Sequence, residues 1–466
     1  MNFSEEQFAK IRQKMLEKGV MESAILSFER AYRLLLSGES GEVPESEIQP
    51  ADSVMNYEDL PKIQNVSSEL LDQLVVIKLN GGLGTSMGLE KVKSLLEVRP
   101  NLAFLDLMAQ QILSLREQTG SMIRFLLMNS EASSLDTRQY LQKFRSRLGD
   151  PSKLELLQNW APKVAQDTLE LVDHPSNPDL EWYPPGHADV YPTLVGSGWL
   201  DRLLDQGVQY AFISNSDNLG AIIDPSLLCH FASSGAPFLM EVTRRTDSDR
   251  KGGHLAMRKS DGRLILREVA QCPDEDLSAF QDIERHRFFN TNNIWVNLRS
   301  LKEVMVENAG VLSLPVIRNR KTMDPRDPSS IAVYQLEQAM GSAIECFDGA
   351  QAVDVPRARF APVKSTSDLL VLRSDVYRVN SQGSVIMDPN RNGVPPIVDL
   401  SPEYRLVDSL VDLGVPSLIE ARSLKVSGPI SFEEGVVIKG GVSIKNADKS
   451  RKSVAKGVYE NQVILL

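Results

Sequence analysis

Cysteine, histidine and long apolar runs are all scarce in this sequence. Cys229, Cys272 and Cys346 are far apart and form neither a Cys-x-x-Cys pair nor a disulfide framework, so we expect buried thiols. The five histidines contain no His-x-x-x-His pattern, which leaves a zinc enzyme without support and favours oxygen ligands for any metal. No run approaches the ~18 apolar residues that a membrane-spanning helix needs.

Positive charge is also in deficit, because the formal net charge is −11. This balance argues against nonspecific binding to nucleic acid or to a membrane, although a local basic pocket could still hold phosphates. The first residues, "MNFSEEQFAKIRQKM", are charged where a signal peptide would be apolar, which favours a cytoplasmic protein. A hydrophobic content of 42 % and a charged content of 24 % are typical of globular proteins. We expect a small-molecule partner.

The N-terminal part of the chain has the features of a helical appendage. At 466 residues the chain is longer than single cores normally grow, which predicts two or three domains. Ser4 and Gln7 have the spacing of a capping box at the start of a helix, and a second helix should cover residues 22–36. The stretch 37–52 is rich in Gly, Pro, Ser and Glu and is typical of an exposed linker. Residues 1–72 are therefore predicted to be an N-terminal helical extension with a linker.

Residues 73–378 alternate short apolar runs with helical patterns. The run "LVVIKL" at Leu74 precedes a helical pattern over residues 102–119 that Gly120 should end, and "IRFLLM", "YAFISN" and "FLMEVT" follow. This alternation predicts an α/β fold with a mostly parallel sheet that is covered on both faces. Ligands of such sheets bind beyond the carboxyl ends of the strands.

The tail, residues 379–466, has a different period. Apolar residues recur at six-residue steps in two sets, at Leu424, Ile430, Val436 and Val442 and at Val426, Phe432, Ile438 and Ile444. Two apolar positions in every six residues are typical of the hexapeptide repeat of a parallel β-helix. A pair of ordinary hairpins with alternating residues is the alternative.

The stretch "KLNGGLGTSMGLEKVKS", residues 78–94, places glycines and lysines directly after an apolar strand. A Walker A loop would need glycine where Val92 precedes Lys93, and a dinucleotide fingerprint would need glycine at Met87. Both motifs are therefore excluded. What remains is a turn through Gly81 to Thr85 whose N–H groups could approach an anion, with an ordinary tight turn as the alternative.

Polar residues also follow the strand "YAFISN". Asn215 and Asp217 should lie at its carboxyl end, on the same side of the sheet as the glycine loop. Mg²⁺ commonly binds one or two carboxylates together with substrate phosphates, so Asp217 is a candidate ligand. The alternative is a turn in which Asp217 caps the next helix.

Further polar side chains are candidates for substrate contacts. His187 in "WYPPGHAD" could donate to a phosphate or sugar oxygen, and Asn290 and Asn292 should project to one face at period two, where amides suit sugar hydroxyls. A structural histidine and a polar turn are the alternatives. Lys364 precedes an apolar run and Lys251 lies beside two glycines. A lysine near an apolar segment usually keeps its ammonium in water, so spacing alone makes neither of them catalytic.

Seven blocks in order carry a resemblance to a known family. They are "KLNGGLGTSMG…KVKS", "LLQNWAPKV", "WYPPGHAD", "SNSDNLGA", "EVTRRTDSDRKGGHL", "FFNTNNIWVNL" and "VPRARFAPVKSTSDLL". From about Leu74 to the C-terminus the chain resembles the eukaryotic UTP–glucose-1-phosphate uridylyltransferases, or UDP-glucose pyrophosphorylases. The resemblance implies a glycosyltransferase-A-like nucleotidyltransferase domain over residues 73–378 and a left-handed parallel β-helix over 379–466.

The resemblance also implies a reaction and a set of site residues. UTP and glucose 1-phosphate would give UDP-glucose and pyrophosphate by reversible, direct in-line attack, with Mg²⁺ on Asp217 and with Lys93 and Lys364 as the catalytic lysines. Gln158 resembles the uracil-reading glutamine and Gly186 its backbone partner. The residues implied in UTP binding are Leu79, Asn80, Gly81, Gly82, Lys93, Gln158, Gly186 and Lys364. Those implied for the sugar phosphate are His187, Asn215, Glu268, Asn290 and Asn292.

Two positions depart from the family pattern. Val92 replaces a proline, so that either Lys93 or Lys91 could be the lysine that contacts phosphate. Ala188 replaces the second glycine of a Gly-His-Gly-Asp motif and would strain the loop if that position needs a positive φ. A related enzyme for N-acetylglucosamine 1-phosphate or galactose 1-phosphate and a non-catalytic sugar-nucleotide-binding scaffold are the alternative functions. A homo-oligomer joined through the β-helix is a further expectation.

Overall fold

The computed structural model describes residues 5–39, 41–52, 54–84, 87–89 and 91–466, with the backbone alone for Ser248. Helices and strands are numbered along the chain. The α-helices are α1 (Glu5–Glu17), α2 (Glu22–Leu36), α3 (Ser68–Asp72), α4 (Phe104–Thr119), α5 (Glu131–Leu141), α6 (Arg145–Leu148), α7 (Val190–Gly196), α8 (Trp199–Asp205), α9 (Pro225–Ser234), α10 (Leu277–Phe280), α11 (Leu298–Glu307), α12 (Thr366–Arg373) and α13 (Val407–Leu413).

The strands are β1 (Ile48–Pro50), β2 (Met55–Asn56), β3 (Leu74–Leu79), β4 (Glu97–Arg99), β5 (Leu102–Ala103), β6 (Arg124–Asn129), β7 (Glu155–Leu157), β8 (Ala161–Pro162), β9 (Val164–Ala165), β10 (Trp182–Tyr183), β11 (Tyr210–Asn215), β12 (Phe238–Arg244), β13 (His254–Arg258), β14 (Leu264–Arg267), β15 (Phe288–Asn297), β16 (Ile317–Thr322), β17 (Ala332–Glu337), β18 (Gln351–Asp354), β19 (Tyr377–Val379), β20 (Val385–Met387), β21 (Ile397–Leu400), β22 (Ser417–Ser427), β23 (Ile430–Phe432), β24 (Val436–Lys445), β25 (Lys452–Val454), β26 (Gly457–Glu460) and β27 (Val463–Leu465).

A large mixed sheet forms the centre of the molecule. Its strand order is β2-β18-β12-β15-β11-β3-β6-β7. The strands β11, β3, β6 and β7 are parallel, as are β12, β18 and β2, and β15 runs antiparallel between the two groups. The prediction of an α/β fold with a mostly parallel sheet is confirmed.

Apolar layers cover both faces of this sheet. On one face Val76 and Phe212 pack in a cluster with α4. On the other face Val75 and Ile213 pack in a cluster with α7, α8 and α11. Successive residues of one strand point to opposite faces, so a strand that is buried on both sides must be apolar throughout. This explains the continuous run "LVVIKL" and isolates Lys78 as its one charged member.

The predicted helices at the N-terminus and before Gly120 are present. The second helix spans Glu22–Leu36 as predicted, while Ser4, the predicted cap of the first, lies outside the described residues. The helix α4 ends at Thr119, and Gly120 adopts a φ of 72°, the left-handed conformation that glycine tolerates. Ser23 Oγ of α2 donates to the carbonyl of Pro192, so α2 is bound to α7 beside the sheet.

The prediction of an exposed linker over residues 37–52 is wrong for its second half. Ile48 is fully buried, and β1 pairs antiparallel with β13. Glu45 bonds to Arg267 at 2.7 Å and to His286 at 2.9 Å. Composition misled here because a few buried apolar residues, such as Ile48 and Ala51, and the paired carboxylate of Glu45 dock a segment that is otherwise polar.

The C-terminal strands stack in parallel. The strands β21, β22, β24 and β26 pair in that order, β27 pairs with β24, and β23 pairs with β25, each pair parallel. All eight apolar residues of the six-residue pattern are buried. The hairpin alternative is wrong, because hairpins pair antiparallel.

The three cysteines differ in burial. Cys272 is buried, but Cys229 and Cys346 are half-buried, so the expectation of three buried thiols is right for Cys272 alone.

Among the helices of the described ranges, none combines the length and the apolar character that crossing a bilayer requires.

Candidate active site

The glycine loop and the polar turn after β11 meet at one edge of the sheet. Leu79, the last residue of β3, lies beside Asn215, the last residue of β11, in a parallel register. Chain segments that follow the two strands are therefore neighbours. Lys93 from the first segment pairs with Asp217 from the second, with Nζ 2.7 Å from Oδ2 and both side chains about one-fifth exposed.

Lys93, not Lys91, is directed into this edge of the sheet. Leu83 and Val92 form an antiparallel bridge, and the N–H of Lys93 donates to the Gly82 carbonyl at 3.2 Å. The loop thus folds back on itself and places Lys93 against Asp217, whereas Lys91 is exposed. Thr85, at the tip of the predicted turn, lies outside the described residues.

Asn80 supports the loop from inside the protein. It is 1 % exposed, its N–H donates to Met128 at 2.7 Å, and its side chain donates to Asn129 at 2.7 Å and to Thr137 at 3.0 Å. Its donors are therefore bonded within the protein, while its buried Oδ1 accepts no hydrogen bond from the described residues. Direct contact of Asn80 with UTP stays a prediction. Leu79 has its side chain in the core and can offer only backbone.

Lys78 is a buried residue whose position sequence analysis did not weigh. Its Nζ donates to Ser214 Oγ at 2.8 Å and to the Ala221 carbonyl at 2.6 Å, which ties β3 to β11 and to the turn beyond it. The pKa of Lys78 is lowered to about 7, first by burial and then by Arg359, with Glu241 opposing. A charged residue inside the continuous apolar run was the signal that could have revealed it.

Gln158 and Gly186, the predicted uracil-binding pair, are hydrogen-bonded to each other. Gln158 Nε2 donates to the Gly186 carbonyl at 2.7 Å, and Gly186 has a φ of 90°. A Cβ placed on Gly81 would lie only 2.8 Å from Gln158 Oε1. The glycine loop and the glutamine are therefore in direct contact.

Asp189 holds the two segments together, a role that the sequence did not reveal. Its carboxylate accepts from the Asn159 N–H at 2.7 Å, from the Asn159 side chain at 3.1 Å and from Thr193 Oγ1 at 3.0 Å. Burial raises the pKa of Asp189 to about 7, against the effect of these hydrogen bonds. Asn159 follows Gln158 directly, so Asp189 links the glutamine to the His187 loop.

His187 is fixed as a neutral donor. The N–H of Met340 donates to His187 Nδ1 at 2.8 Å, so the ring proton must lie on Nε2. Burial lowers the pKa of His187 to about 4. Ala188 does not have a positive φ and is buried in the core, so the replacement of glycine there causes no strain.

Asn290 and Asn292 meet as predicted but not through simple alternation. Asn290 Nδ2 donates to Asn292 Oδ1 at 2.8 Å. Asn292 adopts a φ of 56°, and the register of β15 against β12 shifts between Glu241 and Val242. A β-bulge therefore aims the pair, which period-two reasoning could not foresee.

Glu268 and Lys364 interact electrostatically from different segments. Burial raises the pKa of Glu268, and Lys364 opposes that shift. A Cβ on Gly253 would lie 2.6 Å from both carboxylate oxygens of Glu268. Lys364 is exposed, and the adjacent N–H of Val363 donates to the Asp217 carbonyl at 3.2 Å. The alternative role of Asp217 as a helix cap is wrong, because Asp224 caps α9.

Asp217 is the candidate ligand for a magnesium ion. Within the described ranges no three His, Cys, Asp or Glu side chains converge on one point. A single, partly exposed carboxylate at the end of a strand fits the way Mg²⁺ is held jointly by one or two carboxylates and substrate phosphates. The residues present therefore fit a magnesium ion that binds together with substrate.

A mostly parallel sheet with a glycine loop and charged side chains at its carboxyl edge defines a nucleotide-binding α/β protein. Residues 25–439 match the model of the UTP–glucose-1-phosphate uridylyltransferase family, and the chain belongs to that family. A UTP–glucose-1-phosphate uridylyltransferase of Musa acuminata is 42 % identical over 442 residues, which cover 92 % of this chain and 91 % of the relative. The enzyme of that name in Saccharomyces cerevisiae is 40 % identical over 89 % of this chain and 82 % of its own length.

Solved structures agree with this assignment. A mutant UDP-glucose pyrophosphorylase from Leishmania major in complex with UDP-glucose is 43 % identical, covers all of both chains and superposes with a TM-score of 0.92. A UDP-glucose phosphorylase from Trypanosoma brucei is 46 % identical over 99 % of each chain, with a TM-score of 0.89.

Proposed function

We propose that this protein is an enzyme that transfers a uridylyl group from UTP to glucose 1-phosphate and releases pyrophosphate, giving UDP-glucose. The observation that carries the proposal is the match over the whole chain to a pyrophosphorylase solved with UDP-glucose. The reaction needs no covalent enzyme intermediate, since a phosphate oxygen of the sugar phosphate attacks the α-phosphorus of UTP in line. Catalysis then rests on positioning and on charge neutralisation.

The charged groups at the edge of the sheet suit this chemistry. Two phosphate groups that repel each other must approach, so cations are needed on both sides of the reacting centre. Lys93 lies on the segment that follows the glycine loop, and Lys364 lies on the segment that contacts Asp217. Mg²⁺ bound at Asp217 would neutralise charge on the substrate phosphates. An acidic protein can hold two polyanions in this way.

The two substrates would bind on opposite sides of these cations. Gln158 and the Gly186 backbone would read the uracil, and Gly81 and Gly82 would approach the phosphates. His187 would donate its Nε2 proton to the sugar phosphate, while Asn290, Asn292 and Glu268 would bind sugar hydroxyls, with Asn215 beside them. The pairing of Asn290 with Asn292 leaves each amide with further capacity for hydrogen bonds.

A screen of sugar 1-phosphates with UTP and Mg²⁺, with pyrophosphate release as the readout, tests the proposal. We expect release with glucose 1-phosphate at the highest kcat/KM. Release with N-acetylglucosamine 1-phosphate or galactose 1-phosphate alone would replace the proposed sugar. Binding of UDP-glucose with no pyrophosphate from any sugar would indicate a non-catalytic scaffold.

Replacing Lys364 tests the mechanism. If its ammonium stabilises charge that develops during transfer, Lys364→Ala should lower kcat by ~10²-fold or more while UTP still binds. An unchanged kcat in the purified variant would remove Lys364 from the reaction.

We further propose a glycosyltransferase-A-like domain over residues 73–378 and a left-handed β-helix over 379–466, after the N-terminal extension. Leu424 pairs with Val442, three six-residue steps further on, as in a coil with three sides.

Val463 and Leu465 of the last strand are exposed apolar residues. Through them two copies of the chain could pair into a homo-oligomer, which gel filtration of the full chain would detect. A cytoplasmic location remains a prediction.

A further inference from the structure

Asn218 lies in the turn that directly follows Asp217 and is 2 % exposed. We propose that Asn218 is a positioning residue that fixes Asp217 relative to Lys364 and so sets the geometry of uridylyl transfer. This inference rests on the proposed function. It concerns a residue that need not touch substrate, and its evidence is a set of hydrogen bonds that join two chain segments.

The side-chain amide of Asn218 uses its full hydrogen-bonding capacity. Its Nδ2 donates to Asn293 Oδ1 at 3.2 Å and to the Arg359 carbonyl at 3.0 Å. Its Oδ1 accepts from the N–H of Ala361 at 3.0 Å and from the N–H of Gly220 at 3.2 Å. Two donors and two lone pairs are all that an amide has, so a substitution here must leave buried groups unpaired.

Two of these four bonds reach the segment that carries Lys364. Ala361 lies three residues before Lys364, and the intervening Val363 donates its N–H to the Asp217 carbonyl at 3.2 Å. The Asn218 side chain and the Asp217 backbone therefore bind the same segment from one turn. Asp217 and the segment that carries Lys364 are therefore joined by a backbone hydrogen bond as well as by the Asn218 side chain.

The close approach of backbone at Gly220 is independent evidence that the two segments fit tightly. A Cβ placed on Gly220 would lie 2.3 Å from the Ala358 carbonyl oxygen and 2.9 Å from the Arg359 carbonyl carbon. Atoms cannot approach so closely, so only glycine permits this contact. The turn and the segment have no room to slide past each other.

A buried ion pair anchors the far side of the connection. Arg359 donates from Nε to Glu241 Oε2 at 2.7 Å and from a terminal nitrogen to Oε1 at 2.6 Å, and Glu241 is fully buried. Asn293, which accepts from Asn218, also donates to Glu241 at 3.0 Å. A buried network with its groups paired in this way is rigid. Asn218 is therefore bonded to a rigid part of the protein and not to a mobile loop.

This rigidity has a kinetic value. In-line transfer requires the reacting groups and the stabilising charges to be aligned, and a displacement of about 1 Å can cost about 10²-fold in rate. Asp217 and Lys364 come from segments far apart in the chain, and neither side chain holds the other in place by any bond described above. Asn218 adds two side-chain hydrogen bonds to the single backbone bond from Val363 that joins their segments.

The first experiment compares Asn218→Ala with Asn218→Asp in the full-length protein. The aspartate keeps an oxygen that can accept from Ala361 and Gly220, while alanine keeps nothing. Aspartate, however, buries a new charge and should lower the melting temperature at least as much as alanine does. We expect kcat to fall roughly tenfold or more in Asn218→Ala and less in Asn218→Asp, with KM for UTP changed less than about twofold in both. A kcat that follows the melting temperature would overturn the proposal.

Asn446 offers a matched control. It is also a buried amide that braces a turn, since its Nδ2 donates to Pro429 at 2.7 Å and to Ser450 at 2.8 Å, but it lies in the C-terminal strands. Asn446→Ala should lower the melting temperature and leave kcat as in wild type. An equal loss of kcat in this variant and in Asn218→Ala would mean that general destabilisation explains both.

A double-mutant cycle tests the path through Lys364. In the Lys364→Ala background, Asn218→Ala should reduce kcat by less than about twofold further, because the ammonium with which it aligns Asp217 is gone. Multiplicative losses would overturn the proposal. If Asn218→Ala does not fold, Asn218→Ser replaces it in both experiments, since its hydroxyl is too short to span the bond to Ala361.

The two proposals fail in different ways. A wild-type protein that releases no pyrophosphate overturns the proposed function. An active wild type together with an Asn218 variant of unchanged kcat overturns this inference alone.

Discussion

Lys93 and Asp217 form an ion pair that joins the glycine loop to the turn after β11, with Nζ 2.7 Å from Oδ2. The pair selects Lys93 over Lys91 as the lysine that faces the candidate site. We predict that Lys93→Ala lowers kcat by ~10²-fold, because it removes a cation beside the transferred phosphate. Lys91→Ala is the control and should stay within about twofold of wild type. Steady-state pyrophosphate release measures both, and equal losses would contradict the assignment.

Asp217 should control the requirement for magnesium. Asp217→Asn keeps the size of the side chain but loses the charge that attracts Mg²⁺, so the Mg²⁺ concentration for half-maximal rate should rise about tenfold or more. Asp201→Asn, at an exposed carboxylate on α8, is the control for the loss of a surface charge. A titration of rate against free Mg²⁺ decides between them. An unchanged requirement in Asp217→Asn would exclude this residue as a ligand.

Gly81 and Gly82 allow a comparison within one loop. A Cβ at Gly81 would lie 2.8 Å from Gln158 Oε1, whereas a Cβ at Gly82 would have no atom within 4 Å. Gly81→Ala should therefore displace the glutamine and raise KM for UTP about tenfold, with little change for glucose 1-phosphate. Gly82→Ala displaces no protein atom, so KM for UTP should rise less in this variant than in Gly81→Ala. The reverse order would show that the glutamine is not the sensitive partner.

Gly253 leaves room for the Glu268 carboxylate. With a Cβ 2.6 Å from both carboxylate oxygens, Gly253→Ala must move Glu268. We predict that KM for glucose 1-phosphate rises about five- to tenfold while KM for UTP stays constant. In a Glu268→Ala background the same substitution should have little further effect. Independent losses in the double variant would separate Gly253 from the sugar.

His187 should stay neutral where a free histidine titrates. Its pKa is lowered by burial to about 4, below the ordinary value of about 6.5. A lowered pKa contributes stability that is present above about pH 6.5 and is lost as the pH falls toward 4. The ring resonance, assigned by its absence in His187→Gln, should show no titration in NMR spectra between about pH 5.5 and 8. A midpoint near 6.5 would mean that the bond from Met340 does not hold the neutral form.

Patterns along the chain predicted what depends on local spacing. The alternation of apolar runs predicted the sheet, and the six-residue period predicted the buried positions of the C-terminal strands, because side-chain direction follows from the period of each element. The common edge shared by Leu79 and Asn215 followed from the rule that parallel strands end together.

Contacts between distant segments could not be predicted in this way. Asn80 reads as part of a phosphate loop, yet its side chain turns inward to Asn129, which no local pattern specifies. The bulge that aims Asn290 and Asn292 depends on the register with β12. Asp189 and Asn218 act on partners that lie about 30 and 140 residues away in the chain. Only the folded arrangement reveals such partners.

The separation of these partners also governs how the protein comes to be active. Lys93 and Asp217 are 124 residues apart, and Lys78 and Ser214 are 136 apart. Pairing such distant segments closes long loops, which makes this region one of high contact order and slow formation. Helices can form early and locally, but the site exists only after β3 and β11 have paired. During refolding the return of pyrophosphate release should therefore lag behind the return of helical circular dichroism. A chain whose helices have formed before β3 and β11 pair should have no activity.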